Sequence, residues 1–228
     1  MPPPLRQDSI LGVWPHFVGR FALADSLVLT HPLASNEADW LRDFGPIQAT
    51  QDSATLSTDG LELRVDAQRP LVYQKAVPPE VRARFPAQRV LPVYVVNTSP
   101  STKLLAGKDS WVFAIQEAQD RQGQWRPIES RGFDFCGNGH WLLKLKPRQL
   151  ALFFVQQYAG PFATRLRVRL QNGESRYVSA PYPGHIREQQ FLAPAEQVAQ
   201  LRDNPAAINW LYYGAEPVAA DSLEAQRE

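Results

Sequence analysis

A chain of 228 residues with 44% hydrophobic and 21% charged residues has the makeup of a folded globular protein, and its 20 prolines and 13 glycines predict many turns and few long helices. Its one cysteine, Cys136, excludes an intrachain disulfide and a multi-cysteine zinc site; His16, His31, His140 and His185 lie too far apart in sequence to form a short-range ligand pair, so no metal or cofactor is expected. The net charge of +1 conceals a basic middle between acidic ends: five basic against nine acidic side chains in residues 1–70, seventeen against eight in 71–192, and two against six in 193–228. Either the acidic ends neutralise the middle, or it meets an anionic partner.

The chain opens on Met1-Pro2-Pro3-Pro4, and the apolar stretch 10–29 is interrupted by His16, Arg20 and Asp25. That pattern is neither a signal-peptide core nor a transmembrane span. Asn36 followed by Asp39 reads as a helix start, predicting a short helix over 37–43 that Gly45-Pro46 ends. Asp59-Gly60 between the runs 54–58 and 61–65 predicts a two-residue hairpin, and 71–77 reads as a further strand closed by Pro78-Pro79.

Strand signals become dense from Val90 onward. Residues 93–98 are β-branched and aromatic, while 111–118 alternates Trp111, Phe113 and Ile115 with smaller or polar residues. The turn Asp120-Arg121-Gln122-Gly123 joins the latter to 124–129 as a hairpin. Strands are expected at 141–145 and 150–158, the second apolar on both faces as a covered central strand requires. In 162–170, Phe162, Thr164, Leu166, Val168 and Leu170 share one face and Arg165, Arg167 and Arg169 the other; Asn172-Gly173 turns this strand into 174–179. A last strand is read over 184–191. A short amphipathic helix after Pro194 should end near Asn204-Pro205, followed by a helical turn at 206–211.

These elements predict a mainly β protein: an antiparallel, immunoglobulin- or fibronectin-like β-sandwich with short flanking helices. Residues 1–89 form an N-terminal segment, with a short helix and β-hairpin, packed on the sandwich; 90–192 are its core, 193–216 the C-terminal helices and 217–228 a disordered acidic tail.

The series Glu117-Ala118, Asp120, Gly123, Trp125-Arg126-Pro127-Ile128-Glu129, Cys136-Gly137-Asn138, Tyr158, Gly160, Phe162, Thr164, Arg167, Tyr177, Ser179, Gly184, Ile186 and Gln190-Phe191 resembles an uncharacterised group of bacterial β-sandwich proteins over about half the chain. The resemblance implies the fold and an exported or periplasmic place, with the cytoplasm as the alternative where no signal segment is read. It brings no activity.

Two constellations bear on chemistry. Asp134, Cys136 and His140 supply the residue types of a thiol hydrolase, an orienting acid, a nucleophile and a base, although Gly137-Asn138-Gly139 between them reads as a turn and Cys136 as a small buried apolar residue. The second is the arginine face. With Asn172-Gly173 as a two-residue loop, Arg169 lies across from Arg176, a like-charge pair that needs an offset. Glu117 or Glu129 on a neighbouring strand is the internal candidate, and an unknown protein or anionic ligand bound at Arg165, Arg167, Arg169 and Arg176 the functional one. Among the six tryptophans, Trp111 and Trp141 take inward strand phases, whereas Trp125 and Trp210 are surface candidates for stacking a sugar or peptide. Gly107-Lys108 lacks the earlier glycine of a phosphate loop, nothing fixes Glu117 and Glu129 as a catalytic carboxylate pair, and no nucleic-acid motif appears. The expectation is a non-catalytic interaction or structural protein, with the thiol hydrolase as the alternative.

Overall fold

Period-two patterning cut by glycine, proline and asparagine gives short strands, and the computed structural model, which describes residues 1–29, 32–33, 40–42, 60–134 and 138–218, is mainly β. Strands β1 (Leu11–Val13), β2 (Phe17–Ala22), β3 (Trp40–Arg42), β4 (Leu61–Val65) and β5 (Leu71–Tyr73) precede the long β6 (Gln88–Asn97). Then come β7 (Lys103–Lys108), β8 (Trp111–Val112), β9 (Ala114–Gln119), β10 (Trp125–Pro127) and β11 (Glu129–Arg131). The strands finish with β12 (His140–Leu145), β13 (Gln149–Gln156), β14 (Phe162–Asn172), β15 (Ser175–Val178) and β16 (Tyr182–Ile186), followed by the helices α1 (Ala195–Asp203) and α2 (Ile208–Leu211).

Three antiparallel sheets result. One runs β2-β13-β6-β4 with β5 also on β6, a second β3-β12-β7-β8, and a third β10-β9-β14-β15 with β16 also on β14; β1 and β11 form a separate parallel pair. Pro92 lies within β6 at the gap between the segments that pair with β4 and β5, so its missing N–H faces no strand, and its carbonyl accepts from Asp66. Strand β13 is buried on both faces, as its unbroken apolar run predicts. Ala151, Phe153 and Val155 join the main core with Val93, Leu105, Leu143, Leu166 and Val168, while Leu150, Leu152 and Phe154 join Phe21, Val90 and Val96 in a second layer. Segments before residue 90 are members of the ladders, since β2 hydrogen-bonds to β13 and β4 to β6.

Several expectations need correction. Within the expected helix over 37–43, Trp40–Arg42 is a strand: the edge of β12 offers it ladder hydrogen bonds that outweigh a local capping signal, and the rest of that span lies outside the described residues. The first arm of the 54–65 hairpin also lies outside them. The run 111–118 divides between two sheets at Phe113, and the strand expected over 71–77 stops at Tyr73. The last strand spans Tyr182–Ile186 and gives way to a 3-10 turn at Glu188–Phe191. Both C-terminal helices form where expected; Val218 is buried in a bridge to Leu192, and the tail from 219 lies outside the described residues.

The β14–β15 register departs by two residues from the expected one. Arg169 faces Val178, Gln171 faces Arg176 and Asn172 faces Ser175, so the loop residues are Gly173, at φ +60°, and Glu174. Asn172 is drawn into the ladder because its side chain acts as a surrogate peptide for the open edge of β7. Its Oδ1 accepts from Ala106 N at 2.7 Å, and its Nδ2 donates to Leu104 O at 2.8 Å. Asn172→Ala strands a buried donor and a buried acceptor, and should lower unfolding free energy by about 2–4 kcal/mol in urea titrations; a loss under about 1 kcal/mol would show that water replaces the amide.

Candidate functional site: an aromatic cleft and a spent arginine face

The arginine face is largely occupied from within. Glu117, 1% exposed on β9, accepts from Arg167 Nε at 2.6 Å and from Arg169 Nη2 at 2.9 Å. Arg167 also lies 4.3 Å above the Trp125 ring, so this expected stacking residue is already covered. Arg176 donates to Gln171 and, at 2.9 Å, to Asn209 on α2. The C-terminal segment therefore rests where the free surface was expected. Arg165 and Arg176 remain exposed to solvent, whereas Arg167 and Arg169 are half-buried.

Of the thiol constellation, Asp134 and His140 lie among the described residues. Cys136 lies outside the described residues, and Asp134 accepts from the fully buried Lys108 and pairs with Arg131. His140 begins β12 with its ring stacked on Phe113, 5.8 Å between centroids. Burial, then the charges of Lys108 and Arg131, hold its pKa below the ordinary histidine value.

A different site emerges at residues that sequence reasoning passed over. Trp14, Pro15 and His16 cross from β1 to β2 and are held by backbone bonds on both sides: Gly132 N to Val13 O, Val112 N to Pro15 O, and Phe154 N to His16 O. This segment, Tyr73 to Lys75, the end of the 3-10 turn Pro79–Arg84 and the Asp109-Ser110 turn enclose a cleft of about 650 Å³. The volume falls in the range of ligand pockets.

Trp14 is 50% exposed although it is packed from below. A Cβ placed on Gly132 would fall 2.2 Å from Trp14 Cε2, so the glycine lets the indole lie flat on the backbone with its other face open. Deeper in, His16 stacks on Tyr73 at 4.6 Å and Tyr73 tilts onto Phe154 at 5.5 Å. Burial, then the charge of Lys75, holds the His16 pKa below its ordinary value and keeps the ring neutral at pH 7. Asp109 enters the cleft from a left-handed backbone conformation, φ +50°, with its backbone N–H bonded to Gly139 O.

Glu129 belongs to the cleft's floor and is 1% exposed. Its Oε2 accepts from Gln116 N at 2.7 Å, and its Oε1 accepts from Gln116 Nε2 at 2.8 Å and Tyr158 Oη at 2.7 Å. Tyr182 Oη donates to Gln116 Oε1, extending the network to β16. Burial raises the Glu129 pKa to about 7, against the opposing pull of the Tyr158 and Gln116 hydrogen bonds. The carboxyl is thus a buried structural knot, with its acceptors engaged.

The only hint in the sequence of this cleft was the unexplained aromatic pair Trp14 and His16 beside Pro15. Its walls come from four distant segments, a juxtaposition that no local pattern records. Among the described residues, no three His, Cys, Asp or Glu side chains gather as a metal site, and no helix is long and apolar enough to cross a membrane. Comparison with protein-family descriptions, curated proteins and solved structures finds no match.

Proposed function

We propose that the chain is a non-catalytic binding module, a β-sandwich of the immunoglobulin or fibronectin kind, that captures a carbohydrate in the Trp14 cleft. The observation that carries this reading is the open face of Trp14, fixed flat on Gly132 at the mouth of a concave, aromatic-lined site. A sugar ring presents an axial C–H face to such a platform and hydroxyls to the surrounding polar groups, here Ser110, Gln88 and Asp109. Depth favours this ligand over a proline-rich peptide, which lies along a shallower groove. A place at the cell envelope belongs to the same proposal and rests on the resemblance of the Trp125-Arg126-Pro127-Ile128-Glu129 series and its companions to exported proteins.

Saturation-transfer NMR against a panel of neutral and acidic oligosaccharides tests the reading. At least one should bind, and Trp14→Ala should weaken it about tenfold or more, since a lost aromatic contact costs about 1 kcal/mol beyond its buried area. Gly132→Ala, whose methyl displaces the indole, should reproduce the loss while leaving the rest of the cleft intact. Binding that ignores both variants, or no binding across the panel, overturns the assignment.

A further inference from the structure

The cleft's two sides differ in charge. The segment 75–89 that forms one wall carries Lys75, Arg82, Arg84 and Arg89 against the single acid Glu80, and Lys75 and Arg84 line the cleft itself. Several exposed arginines elsewhere reach acids, as in Arg121 with Glu188 and Arg187 with Asp8. Among the described residues no carboxylate comes within salt-bridge distance of Lys75 or Arg84; Lys75 Nζ instead sits 5.3 Å from the Phe85 ring centre. Burial in the floor keeps Glu129 from supplying a full counter-charge, and Asp109, the other carboxylate of the lining, belongs to the Asp109-Ser110 turn. The cleft is therefore lined by two exposed cations, a neutral histidine near one of them, and a stacking platform.

We propose that the ligand is an acidic glycan, one whose uronic-acid carboxylate is held between Lys75 and Arg84 while a neighbouring ring stacks on Trp14. The inference rests on the carbohydrate reading above and adds the charge of the ligand. Arg84 offers planar, bidentate geometry to a carboxylate, and Lys75 a second, movable charge. His16 serves as an internal reporter. Lys75 already depresses its protonation, so a carboxylate placed beside Lys75 reverses that influence and raises the His16 pKa, whereas a neutral ligand only deepens its burial and lowers it.

The test uses the full chain and three probes: a β-1,4-linked glucuronic acid trisaccharide, cellotriose as its neutral counterpart, and sodium sulfate. Calorimetry at low salt should show the acidic trisaccharide binding about tenfold more tightly than cellotriose, as two partly exposed ion pairs allow. Lys75→Gln with Arg84→Gln should abolish that advantage, so that the double variant binds the two trisaccharides equally; both side chains are exposed, and an unaltered melting temperature checks the fold. The His16 ring proton, followed by NMR, should titrate at higher pH in the acidic complex. Equal affinity for the two trisaccharides, with Trp14→Ala still weakening both, overturns the acidic ligand and leaves the carbohydrate reading standing. Failure of both trisaccharides overturns the two together. Sulfate binding as tightly as the acidic trisaccharide overturns the proposal in favour of a simple anion site.

Discussion

Glu117→Ala should lower the unfolding free energy by about 3–5 kcal/mol, the largest loss expected of any single side-chain truncation in the third sheet. The carboxylate is 1% exposed and is the shared acceptor of Arg167 and Arg169, whose side chains retain only 18% and 15% of their accessible surface. Removing it leaves two guanidinium groups confined beside the C-terminal segment without an anion. Arg169 Nε is already buried with no hydrogen-bond partner within the protein, so that guanidinium has little spare solvation to fall back on. The partner charges, rather than the lost contact, set the size of the effect. Replacing all three by apolar residues, Glu117→Leu with Arg167→Met and Arg169→Met, should recover most of the loss, because no charge then remains to be desolvated. Urea titrations of the single and triple variants decide the matter: a single variant within about 1 kcal/mol of the wild type would mean that the arginines simply swing into water.

The same cluster shows what could and could not be read from the chain. Alternation along 162–170 correctly assigns Leu166, Val168 and Leu170 to the core and the arginines to the other face, because a strand's two-residue period is a local property. What covers that other face is set by segments 30 to 50 residues distant, Glu117 on β9 and Asn209 on α2, and charge patterning along one strand carries no record of them. Asn172-Gly173 was a sound turn signal, yet the turn moved by one residue because the Asn172 amide satisfies β7, an edge that exists only once the sheets have met. The helix expected at 37–43 fails for a related reason at Trp40–Arg42, where strand pairing with β12 takes over the backbone. The central strand β13 needed no such context, since an apolar run of its length is buried on both sides in any packed sheet. The cleft lies at the far end of this scale. Trp14, Tyr73, Arg84 and Asp109 are separated by tens of residues and share only a place in space.

Glu129 supplies a second large effect, one that depends on pH. In the folded protein its pKa is about 7, raised from 4.5 chiefly by burial. Between those two values the native state therefore keeps a proton that the unfolded chain gives up, and stability falls as pH rises. The contribution is full below about pH 4.5, declines by about 3 kcal/mol as pH rises to 7, and is flat above it, at 1.36 kcal/mol for each unit between the two pKa values. Unfolding free energies measured in urea at pH 5, 6, 7 and 8 should trace that decline for the wild type. Glu129→Gln should remove this component and gain about as much stability at pH 8, because the amide keeps an acceptor for the Gln116 N–H and carries no charge to desolvate. Curves that stay parallel for the two proteins would show instead that the carboxylate is ionised in the fold, stabilised by the Tyr158 hydroxyl and the two Gln116 donors, and that the three hydrogen bonds outweigh burial. The distinction reaches the cleft: a neutral Glu129 leaves Lys75 and Arg84 as the dominant charges at the site, whereas an ionised one offsets part of their field, so the pH at which an acidic ligand binds best should follow the titration of this floor carboxyl and shift in Glu129→Gln.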